Sequence, residues 1–241
     1  MTTVLVAGST GAVGTALVPA LRAAGFDVIP HVRPKTAERH PLGKDPAALI
    51  CDLSDAPRLD AAMARAQAVV CLVGTMRRRF AVGDTYESSD YQPVVDLVAS
   101  AKRVPSPEPR HFVLLTAFGA RPGGGYLGWK YKAEEVVRQS GLPFAVLRPS
   151  FLDSTHAGSQ ASDGTQRKPP PLIGGALRLA GALPGLRGFS DDLRTMPVEV
   201  LCRAIVRILQ DRKPTASVLT GRQLWQAAQG ATSGSAQPGV P

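Results

Sequence analysis

Thr3-Val4-Leu5-Val6-Ala7-Gly8-Ser9-Thr10-Gly11-Ala12-Val13-Gly14 is the stretch that decides the fold. Five residues of mostly apolar, strand-forming character run straight into glycines spaced GxxGxxG. From Ala12 to Ala24 apolar residues then return every three or four positions, the pattern of an amphipathic helix. A strand, a glycine-rich turn and a helix in immediate succession form a cradle for phosphate. Gly8 permits the tight turn, Gly11 lets backbone approach a pyrophosphate, and Gly14 allows the helix to pack closely against the strand. Ala12 and Val13 begin the helix, whose N-terminus attracts negative charge.

The same alternation continues outward from this unit. Strand patterns at Asp27–Val32, Ala48–Cys51, Ala68–Val73, His111–Leu115 and Phe144–Leu147 are separated by helical patterns at Ala56–Ala66, Tyr86–Lys102 and Lys130–Ser140. Gly25 and Gly141 follow two of the helices as C-caps. Strands alternating with helices predict an α/β protein, a doubly wound parallel Rossmann-type sheet with helices on both faces. After Pro149 the rhythm breaks into a polar Gly/Ser-rich stretch, Asp153 to Gln166, and three prolines at 169–171, which read as a loop on the substrate side. A strand around Arg194–Val198 and a helix over Val198–Gln210 are expected to complete a small C-terminal substrate cap beginning near residue 151. Residues 1–229 then form one domain, and the small-residue tail 230–241 is expected to be disordered.

Composition narrows the function classes. The chain has 241 residues, 44% hydrophobic, enough for one well-filled core. Its 28 basic residues against 19 acidic ones give a formal charge of +9, which favours anionic ligands. The arginines are dispersed except at Arg77-Arg78-Arg79, so nucleic acid is an unlikely partner and a phosphorylated cofactor a better one. Cys51, Cys71 and Cys202 sit in apolar runs without metal-ligand spacing, so neither a metal site nor a disulfide framework is expected. The strand pattern begins at Thr3 without the basic lead and apolar stretch of a signal peptide, and the apolar segment Leu172–Leu186 is interrupted by Arg178 and Pro184. A cytoplasmic protein with no membrane span is expected; a homo-oligomer is possible.

The carboxyl ends of the strands carry the candidate cofactor contacts. An NAD-preferring site presents a carboxylate after the second strand, whereas this chain reads His31-Val32-Arg33-Pro34-Lys35. Arg33, helped by Lys35 and Thr10, is suited to a 2′-phosphate, so NADP is expected and NAD is less favoured. Asp52 and Leu53 after the third strand are candidates for the adenine, and Gly74 and Thr75 lie at the same edge after the fourth.

Tyr126-Leu127-Gly128-Trp129-Lys130 places a phenol and an amine one helical turn apart on one face. An ammonium there favours the phenolate, and Tyr126 is then equipped to exchange a proton with a carbonyl or alcohol. Such a pair arises often by chance on a helix surface; its place between the fifth and sixth strand patterns gives it force. With the phosphate loop, Arg33 and Leu147-Arg148-Pro149-Ser150, this motif resembles the atypical short-chain dehydrogenase/reductases. The likeness is greatest to the Tat-interacting-protein-like oxidoreductases and looser to NmrA-like proteins, and runs from about Thr3 to Leu224. The resemblance implies that Lys130 also holds the nicotinamide ribose and that Pro149 borders the cofactor. It further implies a serine at the end of the fifth strand, where this chain has Leu115-Thr116-Ala117-Phe118. Thr116 supplies the catalytic hydroxyl if the register allows; if the slot falls on Ala117 the triad is incomplete. Two functions follow: an NADP-dependent oxidoreductase acting on a small carbonyl or alcohol substrate, or a non-catalytic NADP(H)-binding redox sensor or scaffold.

Overall fold

The structure is a computed structural model that describes residues 1–74, 83–153, 194–213 and 215–230. Its principal strands are β1 (Thr3–Ala7), β2 (Asp27–Val32), β3 (Leu49–Ile50), β4 (Ala68–Cys71), β5 (His111–Leu115) and β6 (Phe144–Arg148). A two-residue parallel pair, β7 (Leu152–Asp153) with β8 (Met196–Pro197), stands apart, and β9 (Ala216–Thr220) returns to the main sheet. That sheet has seven strands in the order β3-β2-β1-β4-β5-β6-β9, parallel throughout. The order reverses between β1 and β4, and the crevice outside the carboxyl ends of those two strands is where this architecture binds ligands.

Alternating strand residues feed two cores. Val4, Val6, Val113 and Leu147 point to one face and pack with α1 (Ala12–Ala23), α6 (Val198–Asp211) and α7 (Gly221–Gln229). Leu5, Val69, Phe112 and Val146 point to the other and pack with α3 (Ala56–Met63), α4 (Gln92–Arg103) and α5 (Gly125–Arg138). Burial on both faces explains why the strands read as continuous apolar runs rather than alternating ones. A short helix α2 (Pro34–Ala37) follows β2. The third strand is shorter than its pattern at both ends, pairing with β2 only at His31↔Leu49 and Val32↔Ile50.

Three expectations change. The helix expected from Lys130 begins at Gly125, so Tyr126 stands in its first turn. The helix expected from Tyr86 is divided: Glu87–Tyr91 is a widened π turn and α4 starts at Gln92. The helix expected over Val198–Gln210 is present, but packs against α1 as part of the sheet's helical layer. Its partners β9 and α7 had no predicted counterpart. Their sequence is half polar, and β9 becomes a strand by pairing along β6 from Phe144↔Ala216 to Arg148↔Thr220. The β7–β8 pair bounds the segment 154–193, so most of the expected substrate loop and cap lies outside the described residues, as does the tail 231–241. Among the described residues no helix is long and apolar enough to cross a membrane.

Candidate functional site

The phosphate loop is held from three sides. Gly8 has φ +83°, and a Cβ on it would lie 2.9 Å from the Leu72 carbonyl carbon, so only glycine satisfies both the turn and the contact with the exit of β4. Ser9 is fully buried and its hydroxyl donates to the His31 carbonyl at 2.7 Å. His31 is itself buried, with Nε2 2.9 Å from the Cys51 carbonyl. Because a carbonyl only accepts, Nε2 carries the proton and the loop is tied through β2 to β3. Burial pulls the His31 pKa below the ordinary histidine value, outweighing the Cys51 hydrogen bond and the charge of Asp52, which push it up. Gly14 packs against the loop rather than a strand: a Cβ there would be 2.3 Å from the Gly8 carbonyl oxygen and 2.6 Å from Ser9 backbone. Gly11 caps α1, the Gly11 amide donates to the Gly8 carbonyl at 3.1 Å, and the helix has neither a side-chain cap nor an acid in its first turn. The N-terminus at Ala12 and Val13 therefore keeps its positive end for an anion.

Around this loop the carboxyl edge carries the other predicted contacts. Thr10 is half-buried in the loop, and Arg33 is half-buried at the N-cap of α2, just past β2. Asp52 is exposed and Leu53 buried after β3. Gly74 is exposed beyond β4, while Thr75 and Arg77-Arg78-Arg79 lie outside the described residues. Pro149 is buried, and its carbonyl accepts from the Phe118 amide at 2.9 Å, joining the segments that leave β5 and β6.

Lys130 is brought to this edge from α5. Its Nζ lies 5.8 Å from the Tyr126 ring centroid, and the Tyr126 ring in turn is 5.8 Å from that of Tyr86. The ammonium is almost wholly buried, pairs with Asp90 at 2.8 Å and donates to the Val73 carbonyl at 3.4 Å. Burial acts to pull the Lys130 pKa down, but Tyr126 and Asp90 together outweigh it and hold the group above its ordinary value, as an ammonium. Asp90 had no sequence signal, because a lone acid in an amphipathic helical stretch reads as a solvated residue.

Thr116 is placed differently from the catalytic expectation. Its hydroxyl is buried and donates to Glu134 Oε1 at 2.7 Å, so it serves the packing of β5 on α5. Glu134 is fully buried and also takes two hydrogen bonds from Arg148, at 2.9 Å to Oε1 and 2.5 Å to Oε2. Tyr126, Lys130 and Glu134 share one helix stripe at four-residue spacing, but that spacing does not tell that Glu134 is buried or what it meets. The cysteines offer no nucleophile. Burial pushes Cys51 and Cys71 up to about 11 and Cys202 up to about 12.

The arrangement fits a nicotinamide dinucleotide. A loop whose shape depends on bare glycines at 8 and 14, packed on Leu72 and on the loop's own backbone, leads into an uncapped helix N-terminus, which suits the pyrophosphate, and the Lys130 ammonium at Gly74 suits the ribose beyond it. Comparison with known proteins agrees. Protein TIC 62, chloroplastic, of Pisum sativum is 29% identical over 202 residues, 71% of this chain; the chain thus spans only about a third, 37%, of that protein's length. Among solved structures, a short-chain dehydrogenase/reductase superfamily protein from Agrobacterium tumefaciens with bound NAD superposes with a TM-score of 0.60 at 19% identity, over 90% of this chain and 76% of that one. The Bordetella bronchiseptica enzyme WbmH in complex with NAD+ gives 0.61 at 17% identity, over 91% and 75%. These likenesses concern the fold; the family comes from residues 8–171, which match the NAD(P)H-binding family. The chain therefore belongs to the NAD(P)H-binding family, whose nicotinamide cofactor its Rossmann fold is built to bind.

Proposed function

We propose that this chain is an NADP(H)-dependent oxidoreductase that interconverts a small carbonyl and its alcohol in a reduced, cytoplasmic setting. The observation that carries the proposal is the buried Lys130 ammonium 5.8 Å from the Tyr126 ring, at the edge where the phosphate loop ends. Gly8, Gly11 and Gly14 would hold the pyrophosphate on the N-terminus of α1, Arg33 and Thr10 the 2′-phosphate, Asp52 and Leu53 the adenine, and Gly74, Lys130 and Pro149 the nicotinamide half. Thr75, adjacent to Gly74 in sequence, joins them. The nicotinamide supplies or accepts the hydride when bound. Tyr126 gives its hydroxyl proton to the carbonyl oxygen in reduction, and takes it back in oxidation, while the Lys130 ammonium stabilises the phenolate left behind.

One observation favours the second function, a cofactor-binding redox sensor or scaffold: the Thr116 hydroxyl is committed to Glu134 rather than to a substrate oxygen. One experiment separates the two. NADPH oxidation is followed with a panel of ketones, aldehydes and quinones, and Tyr126→Phe is expected to lower turnover at least about a hundredfold with cofactor affinity retained. Turnover that survives Tyr126→Phe overturns the catalytic assignment; NADPH binding with no turnover on any substrate selects the sensor.

A further inference from the structure

We propose that Asp90 is a positioning residue, holding the Lys130 ammonium beneath an opening that Gly74 leaves at the carboxyl edge of β4. This rests on the cofactor-binding function above and adds two residues to it: one that aims the lysine, and one whose missing side chain gives the lysine access to a ligand.

A lysine at a protein edge ordinarily carries its charge outward to water on its flexible stem. Lys130 does the opposite. Its side chain is 6% exposed, and the partner that keeps it inward, Asp90, is completely buried. Asp90 comes from the π turn Glu87–Tyr91 in front of α4. In such a turn one additional residue widens the helix, a local irregularity that is frequent at functional sites. Here its effect is to turn a carboxylate inward, against α5, while Glu87 and Ser88 remain exposed. The groups facing the ammonium are Asp90 from the π turn, Tyr126 from α5 and Cys71 from β4, besides the Val73 carbonyl.

Gly74 lies directly over the pair. It is exposed, and a Cβ built on it would stand 3.1 Å from Lys130 Nζ and 3.3 Å from Asp90 Oδ1, so any side chain there would press on both charged groups and cover them. A purely structural role accounts poorly for this arrangement. A buried ion pair adds little net stability over a packed apolar pair, and neither partner would then need to lie under a bare glycine at the ligand edge. Fixing an ammonium in one place before a ribose arrives removes the ordering cost that a mobile lysine would incur on binding.

Two readings of the full chain test this. The first is the titration of Lys130 by NMR of 13Cε-labelled lysine, assigned with Lys130→Met. The second is NADPH affinity by fluorescence titration. In Asp90→Asn, which preserves shape and removes charge, the Lys130 midpoint is expected to fall by at least about one pH unit and NADPH to bind about tenfold more weakly, with circular dichroism unchanged. On a Lys130→Met background the same change should have no further effect on affinity, because the carboxylate acts only through the lysine. A folded Asp90→Asn protein with wild-type Lys130 titration and wild-type affinity overturns the proposal. If Asp90→Asn does not fold, Gly74→Ala takes its place: about tenfold weaker NADPH binding with a displaced Lys130 resonance is expected, and wild-type values for both overturn it. If the unmodified chain binds no NADPH, the oxidoreductase function fails, while the Lys130 titration in Asp90→Asn still decides whether Asp90 holds the ammonium.

Discussion

Replacing Gly14 with alanine sets two effects of known size against each other. In favour of the variant, alanine is a better helix former than glycine by about 1 kcal/mol in a helix interior. Against it, the new methyl would sit 2.3 Å from the Gly8 carbonyl oxygen and 2.6 Å from the Ser9 backbone. That falls short of ordinary contact distance by roughly 1 Å. Neither neighbour can move aside alone. Gly8 is pressed against Leu72, and Ser9 is buried and hydrogen-bonded to His31. The overlap therefore displaces the start of α1, an overpacking that costs about 1–3 kcal/mol, toward the upper end because backbone meets a methyl rather than a flexible side chain. The net loss is about 1–2 kcal/mol, a fall in Tm of roughly 2–8 °C for a domain of this size. Since the displaced element carries the anion-binding N-terminus, NADPH affinity should fall in parallel, by about tenfold or more. Differential scanning calorimetry and a cofactor titration on Gly14→Ala measure both. An alanine protein as stable as the parent, or more so, with unchanged affinity would refute the account of the loop.

Three further outcomes are expected. Arg33→Ala should weaken NADPH binding by about ten- to a hundredfold and leave NADH binding nearly unchanged; a parent protein that binds NADH more tightly than NADPH contradicts the assignment. Arg110 is buried, and its guanidinium donates to the carbonyls of Met63, Ala66, Ala101, Val104 and Pro105, closing the C-terminal ends of α3 and α4 on β5. Arg110→Met should cost about 3–5 kcal/mol by chemical denaturation without touching the cofactor site, and a loss under about 1 kcal/mol would show those carbonyls to be satisfied otherwise. His31 has its folded pKa below the unfolded value of about 6.5, so the unfolded chain takes up the proton first; stability is full above that pH and declines as pH falls through it toward the folded value. His31→Gln should remove that part of the acid slope between parent and variant stability curves, and identical slopes would disprove it.

Much of the architecture is legible in local patterns because a parallel sheet buried on both faces needs long apolar runs, and a phosphate loop needs glycines at fixed spacing. From Thr3 to Gly14 the strand, turn and helix signals all agree, and β1 and the start of α1 fall at their predicted bounds. The edge of the sheet was harder. Ala216–Thr220 has no strong strand signal and becomes a strand because β6 offers it a partner. The same distinction separates the site residues. Tyr126 and Lys130 are legible because their chemistry depends on a spacing within one helix. Asp90 and Glu134 are not singled out by the same inspection, because their significance comes from what other elements bring against them: Lys130 of α5 against Asp90, and Thr116 after β5 with Arg148 of β6 against Glu134. The sequence by itself therefore determined the sheet class, the phosphate loop and the phenol–lysine pair, all consequences of short-range periodicity and glycine stereochemistry. Only the tertiary structure decided that the Thr116 hydroxyl belongs to Glu134 and that the lysine is held by Asp90, because a buried charge or hydroxyl takes whatever partner the packing of distant segments places within hydrogen-bond reach.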